Sequence, residues 1–425
     1  MPTAPSESVG RLAALGRPFQ HRNYRLFFIG QLISLVGTWT QSVAQIWLVY
    51  RLTGSALLLG TVTFCQQVPV FLLATLGGMV ADRIPRRSVL VVTQASAMTL
   101  AFILSGLTLG GVVRVGHILV MATLLGVVNA FDIPTRQSFI SHMVGREHLM
   151  NAVALNSSMV NGARILGPAI AGFAVKALGE GWCFFINGLS FIAVISGLLL
   201  MRELPVTPPP ADSESPLARI AEGFRFVVTT KRVRALLILF AVTALAGMPY
   251  STLMPIFASQ VFHGDARTLG LLMGAIGIGA LSGGLALASR ERMRGTDTWV
   301  NIACGTFGAS LVLFALSKTF WLSMIILVPL GASMMTQMSA TNTRVQTMTP
   351  DGLRGRVMAV WAMIFMGFSP FGALLAGWLA TRIGPSRTLM AGGTVCMVGA
   401  CFFALWLPSL RRESRSAKRA TEPAE

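Results

Sequence analysis

Gly77-Gly78-Met79-Val80-Ala81-Asp82-Arg83-Ile84-Pro85-Arg86-Arg87 is a short charged turn set between two long apolar runs, 56–81 and 88–110. Crossing a bilayer takes about 20 apolar residues per helix, so the turn reads as a hinge between two membrane helices. Asp82 falls at the C-terminal end of its own helix, where the macrodipole disfavours a carboxylate. Positive potential must come from a partner, and Arg83, Arg86, Arg87 or the N-terminus of another helix are the candidates. Gly77 and Gly78 expose backbone and let a neighbouring helix approach closely. The stretch reads as a latch; as a plain basic loop it would serve only to anchor topology.

The whole chain carries the same signature. Its 425 residues are 53% hydrophobic and 12% charged, with a mean hydropathy of +0.67, whereas soluble domains carry about 25% charged residues. The net charge of +18 does not indicate nucleic acid, because the arginines sit at the ends of apolar runs rather than along one face. Arg11, Arg17, Arg22 and Arg25 precede a first run too long for a signal peptide, so the N-terminus is expected in the cytoplasm. Cys65, Cys183, Cys304, Cys396 and Cys401 have no metal-ligand spacing and read as small buried hydrophobes.

Twelve spans are expected, near 24–49, 56–81, 88–110, 117–139, 151–178, 182–201, 234–259, 268–289, 299–316, 320–341, 357–380 and 388–408. Under this threading one side collects Arg83, Arg86, Arg87, Arg146, Arg202, Arg290, Arg292, Arg294, Arg344, Arg354 and Arg356, besides the N-terminal arginines. The other side has Arg51, Arg114, Lys176, Arg267, Lys318, Arg382 and Arg387. That asymmetry puts both termini in the cytoplasm. The fold class is all-α integral membrane: 12 transmembrane helices in two pseudo-symmetric six-helix bundles, 1–203 and 234–410. A cytoplasmic linker at 204–233 joins them and a polar, disordered tail at 411–425 follows. Pro205, Pro208, Pro209, Pro210 and Pro216 form a run that cannot be a helix interior, while Phe224, Phe226, Val227 and Val228 beside Arg219, Arg225 and Lys231 suit a segment at the inner membrane surface.

The halves echo each other. Gly77-Gly78 followed by Asp82 and Arg86 matches Gly283-Gly284 followed by Ala288 and Arg292. Thr135-Arg136 and Gly167-Pro168 match Thr343-Arg344 and Ser369-Pro370. Weak repeats of six spans belong to transporters with a binding site between two bundles.

Gly78-x-x-x-Asp82-Arg83-x-Pro85-Arg86-Arg87 resembles the loop signature between the second and third helices of major facilitator superfamily transporters, with Pro85 where that family usually has Gly. The resemblance implies that Asp82 locks the cytoplasmic side against the start of the eleventh helix, near Arg354 and Arg356. Gly167-Pro168-Ala169-Ile170-Ala171-Gly172 resembles in part the fifth-helix motif of exporters in the same superfamily; the alternative is a plain packing kink. Asn129 to Gln137, Asn151 to Ser157 and Ala163 to Pro168 are similar to a bacterial branch of exporters of catecholate siderophores and proteins labelled transmembrane secretion effectors. Proton antiport is what this resemblance implies.

Ionisable residues at membrane depth are costly and mark function. Arg164 lies on the stripe Asn161, Arg164, Gly167-Pro168, and its guanidinium suits an anionic or carbonyl-rich substrate, or a structural pairing. Asp132 and Arg136, four residues apart around Pro134, allow three readings: a gate relay with Arg86, a proton carrier, or a local pair. Gln31, Gln41, Gln45, Gln66, Gln67, Asn129, Asn156, Tyr250 and Gln337 could hydrogen-bond a substrate or glue helices together. Gly277 to Gly283 imitates a dinucleotide loop inside an apolar span, and His142 and His148 lack companions for a metal.

The expected protein is a monomeric inner-membrane transporter with no cofactor and no enzymatic chemistry. It exports a siderophore or amphipathic drug by alternating access, with the proton as coupling ion. Substrate contacts are assigned to Arg164, Asn161, Gln41, Gln45, Asn129, Tyr250 and Gln337, and gating to Gly78, Asp82, Arg83, Arg86, Arg87, Asp132, Arg136, Gly167, Pro168, Arg354 and Arg356. Uptake of an organic solute and a non-transporting receptor on the same fold remain the alternatives.

Overall fold

In lipid no water is available to pair backbone N–H and C=O groups, so apolar runs of this length close their hydrogen bonds internally as helices. The computed structural model describes residues 16–145, 147–202, 216–289 and 296–421. Its first half holds α1 (Arg22–Thr53), α2 (Ala56–Arg83), α3 (Arg86–Leu109), α4 (Val115–Met143), α5 (Leu149–Leu178) and α6 (Glu180–Leu199). A short α7 (Pro216–Thr229) precedes α8 (Lys231–Val242) and α9 (Tyr250–Ile256). Then come α10 (Ala266–Ala288), α11 (Thr296–Leu316), α12 (Phe320–Met348), α13 (Arg354–Ile383) and α14 (Pro385–Thr421). Arg11, Arg146, the proline run of 205–210, and Arg290, Arg292 and Arg294 lie outside the described residues.

Among the described residues, 11 helices are long and apolar enough to cross a membrane. The remaining expected span is α5, a single helix of 30 residues in which Asn151, Asn156, Asn161, Arg164 and Lys176 lower the hydropathy. The seventh span is one rod from Lys231 to Val261, broken into α8 and α9 by π turns at Thr243–Gly247 and Phe257–Val261. Pro249 and Pro255 lie beside these turns, where missing N–H groups loosen the ladder. The repeat is visible in the helix ends: α5 and α13 both stop at a glycine in the left-handed region, Gly179 (φ 84°) and Gly384 (φ 88°).

The tail departs from expectation. Residues from 411 onward were expected to be disordered, yet α14 continues to Thr421. The run from Leu410 to Thr421 contains neither Gly nor Pro, and Arg, Lys, Glu and Ala are strong helix formers.

The chain divides into two compact units. Unit 1 contains residues 1–52, 65–212 and 265–270; unit 2 contains 53–64, 213–264 and 271–425. Relative to a division at the linker, the start of α2 belongs with unit 2 and the start of α10 with unit 1. The core of unit 1 gathers Tyr24, Phe27, Leu90, Phe139, Val194 and Leu198. Near its α10 segment, Lys176 Nζ donates to Asp265 Oδ2 at 2.7 Å, and the amides of Arg267 and Thr268 donate to Oδ1 at 3.0 and 3.3 Å. The Lys176 hydrogen bond, helped by those amides and opposed by partial burial, holds the Asp265 carboxyl below its ordinary range. In unit 2, Phe240 stacks on Trp361 at 5.3 Å and on Phe365 at 5.8 Å. Val227, Val233, Leu237, Val345, Val357 and Val360 cluster nearby.

Candidate functional site

At the α2–α3 turn, Gly77 is the glycine that lets a helix come close. A Cβ there would lie 2.0 Å from the carbonyl oxygen of Ala130 on α4, while nothing approaches Gly78 within 4 Å. The Asp82 side chain is 49% exposed, with Arg86 Nη2 3.4 Å away. Arg86 lies against the His142 imidazole of α4, whose Nδ1 is 3.0 Å from the Ser138 carbonyl. Arg87 donates to the Leu199 carbonyl at 2.6 Å, capping the C-terminal end of α6. Arg83 is exposed.

The expected relay between Asp132 and Arg86 is therefore not formed in this structure. Ten residues separate Asp132 from the position Arg86 reaches, about 15 Å along α4 at 1.5 Å per residue. His142 occupies that position instead. Asp132, 3% exposed, accepts hydrogen bonds from Thr93 Oγ1 (3.0 Å) and Gln94 Nε2 (2.7 Å) on α3. Arg136 Nε stands 3.6 Å from its other oxygen, beyond hydrogen-bonding length, while Arg136 Nη1 donates to Gln31 Oε1 at 3.2 Å.

These groups border a cavity of about 90 Å³ inside unit 1, its polar wall including Gln31, Gln41, Gln45, Gln66, Gln94 and Asn129. The wall follows from helix geometry. Gln31, Ser34, Thr38, Gln41 and Gln45 recur every three or four residues and share one face of α1, and Val128, Asn129, Asp132 and Arg136 share one face of α4. Gln41 accepts from Asn187 Nδ2 of α6 at 2.7 Å. Gly37 permits this approach, since a Cβ there would meet Asn187 Oδ1 at 2.6 Å. Gln94 is nine-tenths buried, yet its Oε1 has no partner in the protein. A polar space of this size has room for several waters. It is smaller than the roughly 300–1,000 Å³ that an organic ligand fills.

The other assigned residues lie elsewhere. Arg164 stacks over Trp39, its Cζ 5.8 Å from the ring centroid, and a Cβ on Gly167 would strike Trp39 Cβ at 2.2 Å. Pro168 sits inside α5 and offers no N–H to the Arg164 carbonyl one turn back. Asn161 donates to its own helix at Ser157 (2.9 Å). In unit 2, Tyr250 donates to Met334 Sδ at 3.5 Å. Gln337 donates to Thr243 at 2.9 Å, and its Oε1 is unpartnered. Arg354 pairs with Asp351 at 2.5 Å, and Arg356 pairs with Glu222 of α7.

Sequence reasoning missed Thr93, Gln94 and Asn187, and it missed a buried charge cluster in unit 2. Asp297, 1% exposed in the first turn of α11, accepts from Arg344 Nε of α12 at 2.8 Å and from Arg232 of α8. An acid at the first turn of an apolar span, after a loop of arginines, was the available signal.

Comparisons with known proteins agree with this architecture. A family model described as transmembrane secretion effector matches residues 13–424. The staphyloferrin A transporter of Staphylococcus aureus is 27% identical over 385 residues, 89% of this chain and 95% of the relative. The enterobactin exporter EntS of Shigella boydii is 26% identical over 407 residues, 94% and 95% of the two chains. Among solved structures, a bacterial homolog to the human lysosomal transporter Spinster, inward-facing and unoccupied, superposes with a TM-score of 0.70 at 15% identity, covering 92% of this chain and 98% of that one. The POT family transporter PepTSo gives 0.72 at 11% identity, covering 92% and 99%. With a match over nearly its full length and a helical plan shared with these transporters, the chain belongs to the transmembrane secretion effector family and has the major facilitator fold.

Proposed function

We propose that this protein exports a small organic molecule, a siderophore or an amphipathic drug, across a bacterial inner membrane by alternating access. Protons moving inward drive it. The relatives named for staphyloferrin A and enterobactin support the substrate class. The observation that carries the reading is the polar chamber of unit 1, where a buried acid and an arginine face a wall of amides inside spanning helices. Such groups are too costly at membrane depth to serve as filler.

The size of the chamber suits the coupling ion rather than the substrate. Asp132 is the proton carrier in this reading. All its hydrogen-bonding neighbours are donors, so a proton arriving through the chamber's water displaces one of them and releases Arg136. Released from Asp132, Arg136 is left with Gln31 of α1 as its partner, which changes how α4 meets α1. Asp82, Arg354 and Arg356 have partners in their own units, Arg86, Asp351 and Glu222, and act as gating charges that exchange partners during the cycle. Gly78, Arg83, Arg87, Gly167 and Pro168 support that motion, the working unit is one chain, and both termini face the cytoplasm. The protein is read as a transporter with no enzymatic step.

The test is an efflux screen comparing a deletion strain with its complemented parent across a chemically diverse panel that includes siderophores. The expected result is retention of one compound class by the deletion strain, relieved by the wild-type chain and not by Asp132→Asn. Equal retention by both strains for every compound would contradict export.

A further inference from the structure

Helix α7 has two apolar faces. One, with Gly223 and Val227, is buried: a Cβ on Gly223 would lie 2.5 Å from the Arg356 carbonyl oxygen of α13, and Val227 clusters with Val233 and Leu237 of α8 and Val357 and Val360 of α13. The other face is open. Phe224 is 58% exposed and Val228 44%, and with exposed Ala221 they recur at the three- and four-residue spacing of one helix stripe. Arg225 is exposed beside them.

Two observations say what covers this stripe. Val227 packs against the first turns of two spanning helices, which places α7 where those spans leave the hydrocarbon. Residues 216–234 contain five bases, Arg219, Arg225, Lys231, Arg232 and Arg234, against one acid, Glu222. That acid is tied to Arg356 and Arg232 to the buried Asp297, and the segment's remaining bases still outnumber its acids around the apolar strip.

We propose that the Ala221, Phe224 and Val228 stripe inserts into the headgroup boundary of the inner leaflet and that the adjoining bases, Arg225 foremost, hold anionic phospholipid there. This is the charge and hydrophobic pattern of an interfacial helix. Glu222 then carries the lipid contact to the start of α13 through Arg356. The inference rests on the chain being membrane-embedded and not on the identity of any substrate.

Photocrosslinking in vesicles tests it with the full-length protein. Benzoylphenylalanine is placed at Phe224, at Val228 and, as a control, at Asp351, whose side chain is 90% exposed. The protein is reconstituted into phosphatidylcholine with and without phosphatidylglycerol, and adducts are read by mass spectrometry. Positions 224 and 228 should both give phospholipid adducts enriched in phosphatidylglycerol, and position 351 should give none. Arg225→Gln should reduce the enrichment by about fivefold, and raised salt should reduce it as well. Lipid adducts no more abundant than at position 351, or lacking any preference for phosphatidylglycerol, would overturn the proposal. So would crosslinks joining two copies of the chain. Because the two positions are tested separately, misfolding of one variant leaves the other to decide.

Discussion

Arg136 and Arg344 stand at matching places in the two halves of the chain, each after a threonine, Thr135 and Thr343, near the end of α4 or α12. Their surroundings differ. Arg344 is held at 2.8 Å by Asp297, a carboxylate from another helix that also binds Arg232. Arg136 faces its acid across 3.6 Å on the same helix, beside a polar cavity. The residue four before each arginine is Asp132 in one repeat and the fully buried Ala340 in the other. One repeat keeps its arginine as a pin joining α8, α11 and α12; the other leaves an ion pair at 3.6 Å beside a polar cavity. Matching positions thus carry a directly bonded cluster in unit 2 and a longer ion pair in unit 1.

The largest effect on stability is expected at the pin. Asp297→Asn leaves two arginines facing a neutral amide in a buried place, at a cost of about 3–5 kcal/mol. Asp132→Asn should cost less, about 1–3 kcal/mol, because Arg136 keeps Gln31. Thermal unfolding of both variants in detergent checks the order, and a larger loss for Asp132→Asn would break the comparison.

Next come the adjacent glycines of the α2–α3 turn. Gly77→Ala drives a methyl group into the Ala130 carbonyl and should destabilise by about 1–3 kcal/mol. Gly78→Ala meets open space and should stay within about 0.5 kcal/mol. Equal losses in the same unfolding assay would remove the α2–α4 contact from the account.

A smaller effect than at the pin concerns the half-exposed Lys176–Asp265 pair of unit 1. Because the folded state lowers the Asp265 pKa, its stabilisation is present above the ordinary carboxylate range and is lost as the pH falls through the lowered value. Asp265→Asn should therefore lower stability at neutral pH by no more than about 1 kcal/mol, and the difference should vanish in strong acid. A variant whose deficit grows on acidification would reverse that sign.

The fold was legible because membrane spans are read from length and hydropathy, and the Gly77 to Arg87 turn tied two of them together. The lining of the unit 1 cavity was legible in part. Gln41, Gln45, Asn129, Asp132 and Arg136 do meet at one cavity, since heptad-like spacing assigns residues to a helix face. Spacing does not say which neighbour that face meets. The Arg164 stripe was real as a stripe, but Trp39 covers it. Asp297 draws its partners from 65 and 47 residues away, and no local pattern encodes those separations. The same limit hid His142, whose partner is an arginine on another helix rather than a metal-binding companion.

The measurement closest to the central claim is transport by Asp132→Asn in proteoliposomes, using the compound found by the efflux screen. An imposed pH gradient should drive uphill accumulation by the wild-type chain and none by the variant, while the variant still exchanges internal for external compound when no gradient is present. Uphill accumulation by Asp132→Asn at the wild-type level would contradict the assignment of the unit 1 chamber as the coupling site.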